Sequence, residues 1–216
     1  MEIPVLELHR LSDVHLQANL PAQLGDPAHQ RALRFANPVD RAEFVAGRLA
    51  LSNFAASLLD VDPNRLRPDY HCPQCGPGQD HGRPGFMLDG GPAPVVVSAS
   101  RASGWVLLAG VVHPTDGFRL GVDLEAIGKV GFDGFDDLAL TGSEKRFLAS
   151  MPARHQALHR TRLWARKEAW LKMTGEGLRR NLAEVDVLDR PGLRDVTERE
   201  LPAGQPEGLV AALAHG

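Results

Sequence analysis

Apolar positions recur at helical spacing between residues 40 and 59, where Phe44, Val45, Leu51, Phe54, Leu58 and Leu59 fall on one side. Asp40 reads as the N-cap of this helix, and Asp62-Pro63 as its stop. From Arg67 to Pro94 the chain is crowded with Pro and Gly, which predicts an irregular excursion rather than core. Val95 to Val112 reads as a hairpin: the β-rich run VVVSAS, a turn over Arg101-Ala102-Ser103-Gly104, and a return from Trp105 to Val112. Another strand is predicted over Phe118 to Glu125. A Gly-rich connector then leads to Thr141, and Ser143 reads as the cap of a helix that begins at Glu144. The best-defined helix spans 156–173 and is stopped by Gly175 and Gly177. Alternation at Leu182 to Leu188 and at Leu209 to Leu213 predicts two closing strands.

A helix beside strands in each half predicts an α+β architecture with two comparable lobes meeting near residue 115. The expected division is 1–114 and 115–216. The length of 216 residues suits one large domain or two small ones sharing an interface.

Composition adds exclusions more than identity. The chain is 43% hydrophobic and 24% charged, as an ordinary globular protein is. No apolar run reaches the roughly 20 residues of a membrane span, and the N-terminus lacks a signal-peptide apolar core, so a cytoplasmic protein is expected. A net charge of −3 argues against nucleic acid as a partner. The charge is uneven, however: between Glu144 and Arg180 ten Lys or Arg stand against three Glu, a candidate basic surface for phosphates or an acidic protein. Cys72 and Cys75 are the only cysteines, in a Cys-x-x-Cys-Gly turn with His71 and His81 nearby. The four could supply zinc ligands, but half of a zinc knuckle is a weak pattern, and the sequence favours a metal-free loop.

The strand over 118–125 places Asp123 and Glu125 on one face. On the 156–173 helix, Glu168 and Lys172 are four apart and share a face. If strand and helix pack together, three carboxylates converge. Two such charges about 5 Å apart repel by roughly 3 kcal/mol at an effective dielectric near 20. Either their pKa values rise or a cation sits among them, and hard oxygen donors with room left for water and phosphate suit Mg²⁺.

The string Gly121-Val122-Asp123-Leu124-Glu125, followed about 40 residues later by Trp164-Ala165-Arg166-Lys167-Glu168-Ala169-Trp170-Leu171-Lys172, resembles the paired signatures of 4′-phosphopantetheinyl transferases, G-[VI]-D-x-E and W-x-x-K-E-[AS]-x-x-K. Phe44-Val45-Ala46-Gly47-Arg48 is similar to the family's F-x-x-G-R helix. Gly82-Arg83-Pro84 is similar to its G-[KR]-P element, and Gly175-Glu176-Gly177-Leu178 to its G-x-G-L turn. The order of these features resembles the larger members, whose two similar lobes are related by pseudo-twofold symmetry, each a small, mostly antiparallel sheet on a long helix. That arrangement implies a monomer.

The resemblance implies Mg²⁺ (or Mn²⁺) held by Asp123, Glu125 and Glu168, with Glu168 and Lys172 as the catalytic pair. It implies coenzyme A as substrate in the first lobe, contacted by Arg48, Arg83, Ser98, Ser100 and Arg101, with Arg31 and Arg34 in a looser match. The reaction implied is transfer of 4′-phosphopantetheine to a serine of an apo carrier protein, acidic and transiently docked, with adenosine 3′,5′-bisphosphate released. One departure stands out. The family's hairpin usually carries Ser-His-Ser, whose His helps hold the 3′-phosphate, and this chain has Ser98-Ala99-Ser100. That leaves a second reading open, a non-catalytic coenzyme A-binding or regulatory member of the same family.

Overall fold

The structure is a computed structural model; it describes residues 2–15, 24–72, 74–201 and 207–216. The chain forms two compact units, one of residues 1–99 and 104–118, the other of residues 100–103 and 119–216. Both mix helices with small antiparallel sheets, so the chain is α+β as the pattern predicts.

In the first unit, β1 (Val5–Arg10) pairs antiparallel with β8 (Trp105–Val112), and β8 neighbours β7 (Val95–Ala102). A short helix, α1 (Asp26–Leu33), precedes the long helix α2 (Pro38–Leu59). The cap of α2 is Asn37 rather than Asp40: the Asn37 side chain accepts from the Val39 N–H at 2.9 Å, and Pro38 stands at the first helical position, where its missing N–H costs nothing. Leu51, Phe54, Ala55 and Ala56 of α2 bury against Val97, Val106 and Leu108 of the sheet. Gly110 makes room for this packing, since a Cβ there would lie 2.4 Å from Leu58 Cδ1.

The Pro/Gly excursion carries more order than its composition suggests. It folds as β2 (Leu66–Pro68), β3 (Tyr70–Cys72), β4 (Gly76–Gln79), β5 (Phe86–Leu88) and β6 (Gly91–Pro92). Leu66, Tyr70 and Phe86 belong to the core cluster of α2, so the expectation of a segment outside the core is corrected. Two glycines explain the compactness. A Cβ on Gly82, whose φ is +97°, would lie 2.4 Å from the His71 carbonyl oxygen, and one on Gly85 would lie 2.8 Å from the Asp69 oxygen. Without Cβ atoms there, Arg83 exchanges two backbone hydrogen bonds with His71 at 2.9 and 3.0 Å.

In the second unit the sheet order is β10–β11–β9, all antiparallel: β9 (Leu120–Ala126), β10 (Leu193–Asp195) and β11 (Leu209–His215). Three helices follow β9: α3 (Phe135–Ala139), α4 (Gly142–Ser150) and α5 (Ala153–Thr174), with Gly175 closing α5 in the left-handed region. The cap of α4 is Thr141, not Ser143. Its hydroxyl accepts from the Glu144 N–H while the Glu144 carboxylate accepts from the Thr141 N–H, a reciprocal capping box. The 22-residue α5 lies across β9 and β11 through Ala165, Ala169, Met173, Val210, Ala212 and Ala214.

The strand expected over Leu182 to Leu188 is absent; the segment is a 3-10 turn (Leu182–Glu184) followed by extended chain. Its backbone is satisfied by side chains instead of a ladder. Lys167 Nζ donates to the Leu182 and Val185 carbonyls, Arg166 Nη1 to those of Val187 and Leu188, and the Glu144 carboxylate accepts from the Val187 N–H. At the centre is a fully buried ion pair, Lys167 Nζ to Glu144 Oε2 at 2.8 Å. Breaking one partner of such a pair strands the other charge, at a cost of about 3–5 kcal/mol. Lys167→Ala is therefore expected to lower the urea midpoint strongly, while the double variant Lys167→Met with Glu144→Gln recovers much of the loss.

Candidate active site

The site of the second unit begins with a glycine. A Cβ on Gly121 would lie 2.1 Å from the Ala169 carbonyl oxygen and 2.6 Å from the Met173 nitrogen. Only glycine lets the backbone of β9 lie directly on α5 at that point. Side chains alternate along a strand, so Asp123 and Glu125 share the Gly121 face. Their neighbours on β11, Ala212 and Val210, pack under α5 from the same side. Trp164, Glu168 and Lys172 follow one another at four-residue intervals along α5, so all three fall on one stripe.

These two faces bring their polar groups together. Lys172 Nζ donates to Asp123 Oδ1 at 2.7 Å and to the Val122 carbonyl at 3.1 Å. Ser100 Oγ also donates to Asp123 Oδ1, at 2.7 Å. Trp164 Nε1 donates to Glu125 Oε1 at 3.0 Å while its ring meets Phe135 edge-on at 5.5 Å. Trp164 thus joins a packing role to a polar one, which the i, i+4, i+8 spacing through Glu168 to Lys172 could have signalled. Trp170 is half-buried, with the Arg190 guanidinium 4.5 Å over its ring.

Asp123 is 3% exposed, and its second oxygen, Oδ2, has no hydrogen-bond partner among the described residues. A buried acceptor left this way costs about 1–3 kcal/mol, more when charged. Burial raises the Asp123 carboxyl against the pull of Lys172 and Ser100. Burial and then the Asp123 charge raise Glu168. Burial pushes Glu125 up to about 7, with Asp123 adding and the Trp164 N–H and Lys172 opposing. All three acids therefore resist ionisation as they stand, a cost that protonation or a shared cation would each relieve. Among the described residues, the oxygens of Asp123, Glu125 and Glu168 do not all come within 4.8 Å of one another, so the three carboxylates converge less tightly than the strand and helix pattern predicts. Mg²⁺ needs only one or two protein carboxylates beside its water or phosphate ligands. Orphaned Asp123 Oδ2 and the hard donor chemistry fit such an ion.

Within the first unit, Arg48 is held on α2 between two rings, 3.8 Å over Tyr70 and 5.2 Å from Phe44. Its Nη2 donates to the Asp80 carbonyl, whereas Nη1 is buried without a hydrogen-bond partner among the described residues. Ser52, one turn along α2, has an equally unpartnered Oγ. The Asp80 carboxylate meets Arg34 at 3.2 Å and Arg31 at 3.9 Å. On β7, alternation puts Ser98 and Ser100 on one face; Ala99 packs on the opposite, apolar side against the core of α2. Arg83 is fixed through its backbone to β3. Ser100 and Arg101 fall within the second unit, Ser98 within the first.

The candidate basic surface is much reduced by pairing. Lys145 meets Asp137, Arg160 meets Asp136, Arg162 and Arg166 meet Asp195, and Arg180 meets Glu176. Lys167 and Lys172 are taken by Glu144 and Asp123. The acids that neutralise this stretch mostly lie outside it in sequence, where a count of residues 144–180 could not see them.

Residues 119–206 match the family model of the 4′-phosphopantetheinyl transferase superfamily, and this stretch contains Asp123, Glu125, Glu168 and Lys172. The chain is also 27% identical over 174 residues to the 4′-phosphopantetheinyl transferase HetI of Nostoc sp. (strain PCC 7120 / SAG 25.82 / UTEX 2576), covering 80% of this chain and 68% of that protein. Over these stretches the chain is similar to 4′-phosphopantetheinyl transferases. No helix among its described residues is long and apolar enough to cross a membrane.

The raised carboxyls carry a sign. Ionised Glu125 is the disfavoured form in the fold, so without a divalent ion stability is lost as pH rises from the ordinary glutamate range to about 7. A cation must displace that proton. Mg²⁺ affinity, followed by isothermal titration calorimetry, is expected to rise as pH climbs through about 7 and to level off above it, and Glu125→Gln is expected to flatten the rise.

Proposed function

We propose that the protein transfers the 4′-phosphopantetheine group of coenzyme A to a serine hydroxyl of apo carrier proteins, releasing adenosine 3′,5′-bisphosphate. The observation that carries this reading is the buried, orphaned Asp123 Oδ2 beside Glu125, Glu168 and Lys172. Asp123, Glu125 and Glu168 would hold Mg²⁺, or Mn²⁺ in its place. When bound, the ion supplies neutralisation of pyrophosphate charge during displacement at the β-phosphorus.

The remaining work falls to side chains. Glu168, made more basic by burial, accepts the serine proton as the oxygen attacks phosphorus. Lys172 Nζ, steadied on the Val122 carbonyl, donates to charge that develops on the transferring phosphate. Ser100 holds Asp123 Oδ1, so Oδ2 is the oxygen that would serve the ion. Arg48 offers its unpartnered Nη1 to a coenzyme A phosphate, with Arg83, Ser98 and Arg101 as further contacts. Ala99 faces the apolar core, so the 3′-phosphate relies on these cations in place of a histidine. A two-lobed chain with pseudo-twofold symmetry, working as a monomer, remains part of this reading. Coenzyme A is assigned to residues 1–114, and the metal and catalytic helix to residues 115–216.

Among the described residues, Arg146, Arg154 and Arg179 enter none of the ion pairs that neutralise the rest of the 144–180 stretch, and they are the cations offered to an acidic carrier. Purified protein mixed with coenzyme A, Mg²⁺ and several apo carrier proteins is expected to add a phosphopantetheine-sized mass to at least one carrier. Glu168→Ala is expected to abolish the gain, and Lys172→Ala to slow it by roughly a hundredfold or more. Coenzyme A binding with no mass gain on any carrier would establish the non-catalytic reading.

A further inference from the structure

Cys72, Cys75 and His81 form a second cluster with metal-ligand character, within the first unit and outside the stretch matched by the family model. Their ligand atoms all lie within 4.8 Å of one another. Zinc–sulfur and zinc–nitrogen bonds of 2.0–2.3 Å in a tetrahedron separate ligands by about 3.3–3.8 Å, so small side-chain adjustments would close the site.

The backbone builds this cluster deliberately. Strand β3 presents Tyr70 and Cys72 inward and His71 outward, so His71, the fourth ligand considered from sequence, stands on the wrong face. The Gln74 and Cys75 N–H groups both point at the Cys72 sulfur, as in the tight turn of a thiolate metal knuckle. Gly82 lets the chain return onto β3 so closely that His81 reaches Cys72. His81 Nδ1 lies 2.9 Å from Asp80 Oδ1, which orients the ring and leaves Nε2 to a metal. Cys72 is buried and Cys75 exposed; both are thiols, not a disulfide.

We propose that Cys72, Cys75 and His81 bind a structural Zn²⁺ ion, with water as fourth ligand. Two thiol protons pass to solvent as two thiolates and a neutral imidazole engage the metal; nothing is oxidised or reduced. The site has a clear purpose in the fold. It ties the turn between β3 and β4 to Asp80, whose carbonyl and carboxylate hold Arg48, Arg34 and Arg31. The ion thereby fixes the arginine assembly from behind. The site stands independently of the proposed transfer reaction, because its soft thiolate donors differ in kind from the carboxylates around Asp123.

The test is Co²⁺ titration of the full chain in reducing buffer, read by the near-ultraviolet thiolate-to-cobalt charge-transfer absorption, with zinc content by elemental analysis. The wild type is expected to show the band, to lose it on adding Zn²⁺, and to retain zinc in proportion to chain after dialysis. Cys75→Ser, which alters an exposed side chain, and His81→Ala are each expected to weaken Co²⁺ binding at least tenfold. Glu168→Ala is expected to keep the band unchanged. A wild-type spectrum without a thiolate band, or a band equal in wild type and Cys75→Ser, would overturn the proposal.

Discussion

The second unit rests on one close approach, the backbone of β9 against the backbone of α5 at Gly121. No side chain intervenes there, and a single methyl group would collide with the Ala169 carbonyl. Ala165 and Ala169 keep the contact thin on the helix side, as Ala212 and Ala214 do on the strand side. That thinness sets how far the Asp123–Glu125 face stands from the Glu168–Lys172 stripe. Packing small residues at the contact sacrifices some buried apolar area. In exchange, polar groups from two elements meet over hydrogen-bond distances.

Two kinds of buried charge surround this contact, and they do opposite things. The Lys167–Glu144 pair is complete: each partner also engages backbone groups, and together they hold a strandless segment in place. The Asp123 cluster is incomplete, with one oxygen unpartnered and three carboxyls raised by burial. Adjacent residues Lys167 and Glu168 therefore serve different ends. Lys167 gives the helix its anchorage, and Glu168 inherits a fixed position from it. A helix that was merely amphipathic would not place an acid with such rigidity.

Much of this was legible in the sequence because it is local. Helical spacing found α2 and α5 within a few residues, the VVVSAS run found β7, and strand alternation placed Asp123 and Glu125 on one face. The misses have non-local causes. The alternating residues 182–188 look like a strand, but their backbone partners are Lys167, Arg166 and Glu144, far away in the chain. The Pro/Gly excursion looked uncommitted because its order comes from two glycines that permit backbone contact rather than from apolar spacing. The basic surplus dissolved for a similar reason, since its counterions at Asp136, Asp137 and Asp195 lie outside the window. The closeness of His81 to Cys72 and Cys75 depends on Gly82 and on Asp80, features that no metal-binding spacing rule includes.

The glycine contact between β9 and α5 is what sets Asp123 and Glu125 beside Glu168 and Lys172. Its most direct test is Gly121→Ala, with Mn²⁺ binding followed by electron paramagnetic resonance and thermal unfolding measured on the same samples. The expected result is that both properties fall together: Mn²⁺ affinity drops at least tenfold and the melting temperature falls by several degrees. A variant that melts with the wild type and binds Mn²⁺ as tightly would contradict it, because the acids would then hold the ion without that contact.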